Sequence, residues 1–327
     1  MKETHDVMAE LAPFVVSTNT RVMSEMFAKY PDMAGKVHHI DGTAHPSEKA
    51  RKRLVKQAIN SHYGTLNPLK YLLHFNQHDM DFKTLKTNVP NYYLCTSFPI
   101  DTTDRAFLIY SPDIQAIVSE NHSLGWFENS SSLTINEKSD YKGLKNIHVN
   151  VEYSLMHEFG HALFRSQGHV LNDHEHEIAA DVFAVIHHIQ KYGVETEMVQ
   201  ELIDKRRVKC LLGDINHFSA DALADVAENL DKYISEAVTS QDIVDIAVNM
   251  AQKHGRSKSD LTSMNSAFRA LDNKFLSTHP KEVVEELGKV FNTASAPTVK
   301  KQAKSLLDIV ARRGIKKPDN LAKARPW

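Results

Sequence analysis

A mainly α-helical chain with a small mixed β-sheet, an α+β fold, is what three features of the sequence predict. Both ends place apolar residues three and four apart over long stretches, the spacing of one buried helix face. Between residues 91 and 151 the texture changes to short β-prone runs broken by Pro, Asp, Asn and Ser. A stretch free of Pro from 149 to 167 then has helical spacing and meets Gly168, a good helix stop.

In chain order, residues 1–90 form a helical N-terminal region, with helices expected over 4–30 and 46–63. Pro46-Ser47-Glu48 supplies start chemistry for the second helix. Its basic cluster of Lys49, Arg51, Lys52, Arg53 and Lys56 is expected to be a solvated face. Residues 91–192 hold the sheet, for which Tyr92–Cys95, Phe107–Tyr110 and Ser132–Ile135 are the strand-forming runs. An edge strand able to pair with an extended peptide is expected at 132–137 or 144–151. Residues 193–327 are helical, with helices expected over 194–208, 219–235, 240–254, 259–275, 280–291 and 298–313. The pairs His38-His39 and His187-His188 are read as incidental, because helical neighbours diverge by about 100°.

Composition excludes several classes. The chain has 327 residues, 42% of them hydrophobic, and a formal net charge of −2, as expected of an ordinary globular protein. Cys95 and Cys210 are too few for a disulfide framework. No apolar run approaches the ~18 residues of a membrane span, and no signal-type segment follows Met1. A cytoplasmic location, or export by a route independent of a signal peptide, is therefore expected. Between Lys300 and Arg325 nine basic residues face two acidic ones, but no aromatic residue is interleaved. A solvated face with a basic tail is the expectation, and no nucleic-acid partner.

The residues that carry chemistry are His157-Glu158-Phe159-Gly160-His161. Residues four apart share a helix face, so both imidazoles can reach one metal ion. Glu158 lies about 100° round the helix, placed to touch a water without binding the ion. Met156, Phe159, Leu163 and Phe164 supply an apolar stripe that would bury the opposite side. The bland reading is a surface helix with two chance histidines.

Zinc needs a further protein ligand beyond two histidines. Sixteen residues after His161 the chain reads Glu177-Ile178-Ala179-Ala180-Asp181-Val182-Phe183-Ala184, in a second helical run. Glu177 is read as the third ligand. Asp181, one turn on, would accept a hydrogen bond from the outer nitrogen of a ligand histidine and fix its tautomer. Glu175, Asp173, His174 and His176 compete for the ligand role, against a plainer reading as an interhelix loop and helix start.

This pattern resembles the gluzincin branch of the zinc metallopeptidases. ImmA/IrrE-type peptidases carry a His-Glu-x-x-His helix followed by Glu-x-x-Ala-Asn-x-Phe-Ala, and residues 177–184 depart from it only at Asp181. Heat-shock and prenyl-protein membrane peptidases carry Glu-x-x-Ala-Asp and a later Ser-Thr-His-Pro, which Ser277-Thr278-His279-Pro280 matches without their spanning helices. The resemblance implies a zincin-like catalytic core over 91–192, Zn2+ as cofactor and a protein or peptide substrate.

The expected chemistry follows. Zinc held by His157, His161 and Glu177 would lower the pKa of a water from 15.7 to about 7. Glu158 would take the proton as general base and pass it to the leaving amine. A donor for the oxyanion is also needed, and His279, His217 and Tyr153 are the candidates, with His279 favoured by the four-residue resemblance. The leading expectation is thus a zinc-dependent endopeptidase of narrow specificity. The alternatives are a regulatory or effector-type interaction protein that recognises partners through its helical C-terminal half, and a zinc-bound scaffold without catalysis.

Overall fold

The computed structural model describes residues 2–63, 92–99, 105–117, 140–193, 196–209, 214–275 and 280–312. They are mainly helical with one three-stranded mixed sheet. They divide into two compact units, one running to Val170 and one from Leu171 onward.

In the first unit, α1 (Lys2–Lys29) leads through a 3-10 turn at Pro31–Met33 into β1 (Val37–Asp41), and α2 (Glu48–Tyr63) follows. Strands β2 (Leu94–Pro99) and β3 (Arg105–Ser111) and the long helix α3 (Asp140–Ser166) complete it. The strand order is β1-β3-β2. β1 runs parallel to β3 in the register Val37–Phe107 to Asp41–Ser111, and β2 runs antiparallel, Leu94–Tyr110 to Pro99–Arg105. β3 is central for a compositional reason. Ala106 to Ser111 are all buried, and an unbroken run of this kind suits a strand covered on both faces. α1 lies along α3, where Phe27 and Tyr30 meet Phe159 at ring-centroid distances of 6.0 and 5.8 Å.

β1 is a strand that the sequence does not announce, since His38-His39 interrupts its apolar pattern. It is held by its ends. Asp41 accepts from the backbone N–H of Thr43 and Ala44 in a side-chain turn and from Asn19 Nδ2 of α1 at 2.9 Å. His39 Nε2 lies 2.8 Å from Ser111 Oγ. Burial holds the His39 pKa down to about 4, against a smaller opposite pull from Asp41.

Two other expectations need correction. Residues 144–151 are helical, within α3, and so are not an edge strand; 132–137 lie outside the described residues. Arg51 is not part of a solvated face. It is buried and donates to the carbonyls of His45 and Pro46, with Asp113 at 3.5 Å, while Lys49, Arg53 and Lys56 are exposed as expected.

The second unit contains α4 (Asp173–Tyr192), α5 (Thr196–Lys209), α6 (Ala220–Glu228), α7 (Leu230–Glu236), α8 (Ser240–His254), α9 (Lys258–Phe275), α10 (Pro280–Thr293) and α11 (Pro297–Arg312). α4 is its central element, buried at every residue from Ile178 to Ile189 and packed along α8. A helix apolar around its whole circumference must be wrapped by others. His187 and His188 belong to that core, edge-on to Phe183 and tilted against Tyr192 respectively. The expected helix over 219–235 is interrupted at Asn229, whose side chain bonds the Asp225 carbonyl and carboxylate and so competes with the helical ladder. Among the described residues, no helix is long and apolar enough to cross a membrane.

Candidate metal centre

α3 presents His157 and His161 from successive turns. Met156, Phe159, Leu163 and Phe164 are buried as their spacing requires. Phe159, pinned by Phe27 and Tyr30, fixes the rotation of the helix about its axis. Glu152, fully buried on the same helix, meets Arg21 of α1 at 2.7 Å. The helix stops where expected. Gly168 has φ +74, its N–H donates to Arg165 O at 3.3 Å, and His169 N–H donates to Phe164 O at 3.1 Å. This is the Schellman pattern, which needs a left-handed residue at the position Gly168 occupies.

Both imidazoles are buried, at 5% and 6% exposure, and their rings stand edge to face with Nε2 atoms 3.1 Å apart. A tetrahedral ion with bonds of 2.0–2.1 Å holds two nitrogens about 3.3 Å apart. The pair is therefore already at the spacing of two ligands on one ion. Glu177, half-buried on α4, offers the third donor: one ligand atom from each of His157, His161 and Glu177 lie within 4.8 Å of one another. Two neutral imidazoles and a carboxylate are a donor set suited to zinc and to other divalent transition ions. The cluster could hold a metal ion. Glu158, one residue after His157, is partly exposed.

The competing ligands have other employment. Asn172 caps α4 by accepting from Glu175 N–H at 3.0 Å, and the Glu175 carboxylate accepts from Asn172 N–H at 2.8 Å. This reciprocal capping box explains Glu175. His174 is buried with Nδ1 on the Asn216 carbonyl at 2.9 Å, and burial pushes its pKa down. Asp173 is exposed in the first turn of α4, where a carboxylate favours the helix dipole; His176 is half-buried.

Asp181, expected to orient a ligand imidazole, is fully buried and accepts from Arg206 Nε and Nη2 at 2.7 and 2.5 Å and from the Ser219 hydroxyl. Neither Arg206 nor Ser219 has a spacing that would single it out in the sequence. Of the three oxyanion candidates, Tyr153 is buried one turn before His157, with ring centroids 6.2 Å apart. His217 sits between two carboxylates, with Nε2 3.0 Å from Glu177 Oε2 and Nδ1 2.5 Å from Asp214 Oδ1. His279 lies outside the described residues. The chain matches no protein-family model, no curated protein and no solved structure.

Proposed function

We propose that this chain is a zinc-dependent peptidase of the gluzincin type and of narrow protein specificity. The observation that carries the proposal is the convergence of His157, His161 and Glu177 within 4.8 Å, with Glu158 next to the first ligand. A scaffold that only bound metal would not need Glu158. A bound zinc ion would supply a Lewis acid that polarises the scissile carbonyl and acidifies water. His157 and His161, locked by the packing of Phe159, fix two of the ligand directions. Glu158 lies about 100° round the helix from His157 and is partly exposed, so it can meet solvent and substrate. It accepts the proton of the attacking water and returns it to the leaving amine.

The test is metal content by inductively coupled plasma mass spectrometry on wild-type protein and on Glu177→Ala. One zinc per chain, lost in the variant, is the expected result. No metal in the wild-type protein after zinc is supplied would overturn the proposal. Where zinc is bound, Glu158→Gln is expected to retain it and to lose cleavage of substrates found by proteome-wide mapping of new N-termini, by about 10²–10⁴-fold. Cleavage undiminished in Glu158→Gln would overturn the assignment of the base.

A further inference from the structure

Three residues of α4, at i, i+3 and i+7, meet one short segment of chain within the second unit. His174 Nδ1 is 2.9 Å from the Asn216 carbonyl, Glu177 Oε2 is 3.0 Å from His217 Nε2, and Asp181 accepts from the Ser219 hydroxyl. The segment is itself tightly folded. Phe218 N–H donates to Ile215 O at 3.2 Å and Ser219 N–H to His217 O at 3.0 Å. Phe218 is buried with the Arg256 guanidinium 5.1 Å above its ring, and Ser219 is buried beside it. The His217 ring is turned by Asp214, 2.5 Å from Nδ1, so that Nε2 faces Glu177. At 3.0 Å from Oε2, His217 Nε2 constrains the Glu177 carboxylate through its position.

We infer that His217, steadied by Asp214, is a positioning residue for Glu177, holding its carboxylate in place for a divalent metal ion. The inference rests on the reading of Glu177 as a ligand. A glutamate side chain has rotatable bonds that must be frozen when it binds metal. His217 freezes them beforehand by engaging one carboxylate oxygen, and the buried Phe218 and Ser219 keep His217 itself from drifting. Groups that orient metal ligands in this way typically contribute 10–100-fold to metal affinity.

The experiment is a zinc titration against a competing fluorescent chelator, on wild type, His217→Ala, His217→Gln and Asp214→Asn, with urea unfolding of each metal-free protein alongside. His217→Ala is expected to weaken zinc binding 10–100-fold with the unfolding midpoint unchanged. His217→Gln, which keeps an N–H donor at similar reach, is expected to recover most of that loss, as a merely space-filling role would not require. The cobalt-substituted protein should show an altered visible spectrum in His217→Ala and a wild-type-like one in His217→Gln. Should His217→Ala lower the unfolding midpoint, Asp214→Asn carries the test, with a 3–10-fold loss expected at unchanged stability. Zinc affinity that is unchanged or higher in His217→Ala, or unchanged in Asp214→Asn when that variant carries the test, overturns the inference. Absence of zinc binding by wild type is the separate failure of the metal assignment.

Discussion

Arg206 grips both carboxylate oxygens of Asp181, at 2.7 and 2.5 Å, where Asp181 is fully buried and Arg206 nearly so. Two charges removed from water are tolerable only when each satisfies the other, and the planar guanidinium fork does this for a carboxylate. Arg206→Met leaves the Asp181 charge without this cation, while the Ser219 hydroxyl still donates to it. A loss of about 3–5 kcal/mol in urea unfolding is expected. Asp181→Asn added to Arg206→Met should recover part of it, because the buried charge is gone. A double variant less stable than Arg206→Met alone would show that the carboxylate has a role apart from this pair.

Gly168 is the position where the backbone itself demands glycine. Its φ of +74 places it in the left-handed region, and a Cβ built there meets nothing within 4 Å. The cost of Gly168→Ala is therefore backbone strain alone, about 1 kcal/mol by chemical denaturation, and Gly168→Asn should lose less. Zinc affinity should stay unchanged in both, since the end of α3 can loosen without turning its His-bearing face. A tenfold fall in affinity would contradict this.

The features readable in the sequence were those written in local periodicity. The 240–254 helix is found at Ser240–His254, where Thr239 and Asp242 form a capping box, and the stop at Gly168 follows from the same local chemistry. The cluster of His157, His161 and Glu177, which could hold a metal ion, was legible because residue type and spacing together suggest one. β1 was not legible, because its stability comes from pairing with β3, some 70 residues away, and from Asn19 on another helix. Arg206 and the contacts of residues 214–219 with α4 were hidden for the same reason, although His217 itself stood out as a candidate oxyanion donor. Their partners on α4 lie tens of residues upstream, so nothing in their own neighbourhood announces the pairing.

His39 gives the first unit a pH dependence of known sign. Its folded pKa, depressed by burial to about 4, lies below the usual 6.5, so between those values the unfolded chain binds the extra proton. Its contribution is fully present above pH 6.5 and is lost as pH falls from 6.5 to 4, by at most about 3 kcal/mol. His39→Gln, which can still bond Ser111 Oγ, should flatten this limb of the stability curve. The measurement is urea unfolding of both proteins across pH 4 to 7. A difference between them that stays constant over that range would show that His39 titrates alike in both states.

Glu175 and Glu177, two residues apart on α4, separate stability from metal binding. The Glu175 carboxylate closes the capping box on Asn172, whereas Glu177 points a ligand atom toward the two histidines. Removing the cap partner exposes a helix-terminal N–H but leaves the three-ligand set whole. Glu175→Ala should cost about 1 kcal/mol in unfolding free energy and leave zinc content unchanged. Glu177→Ala should do the reverse, abolishing zinc retention with little change in the stability of the metal-free protein, because what it removes there is a partly buried side chain whose contact is with His217. Both quantities measured on both variants make the comparison strict. Zinc lost in Glu175→Ala and kept in Glu177→Ala would move the third ligand two residues toward the cap and overturn the assignment of Glu177.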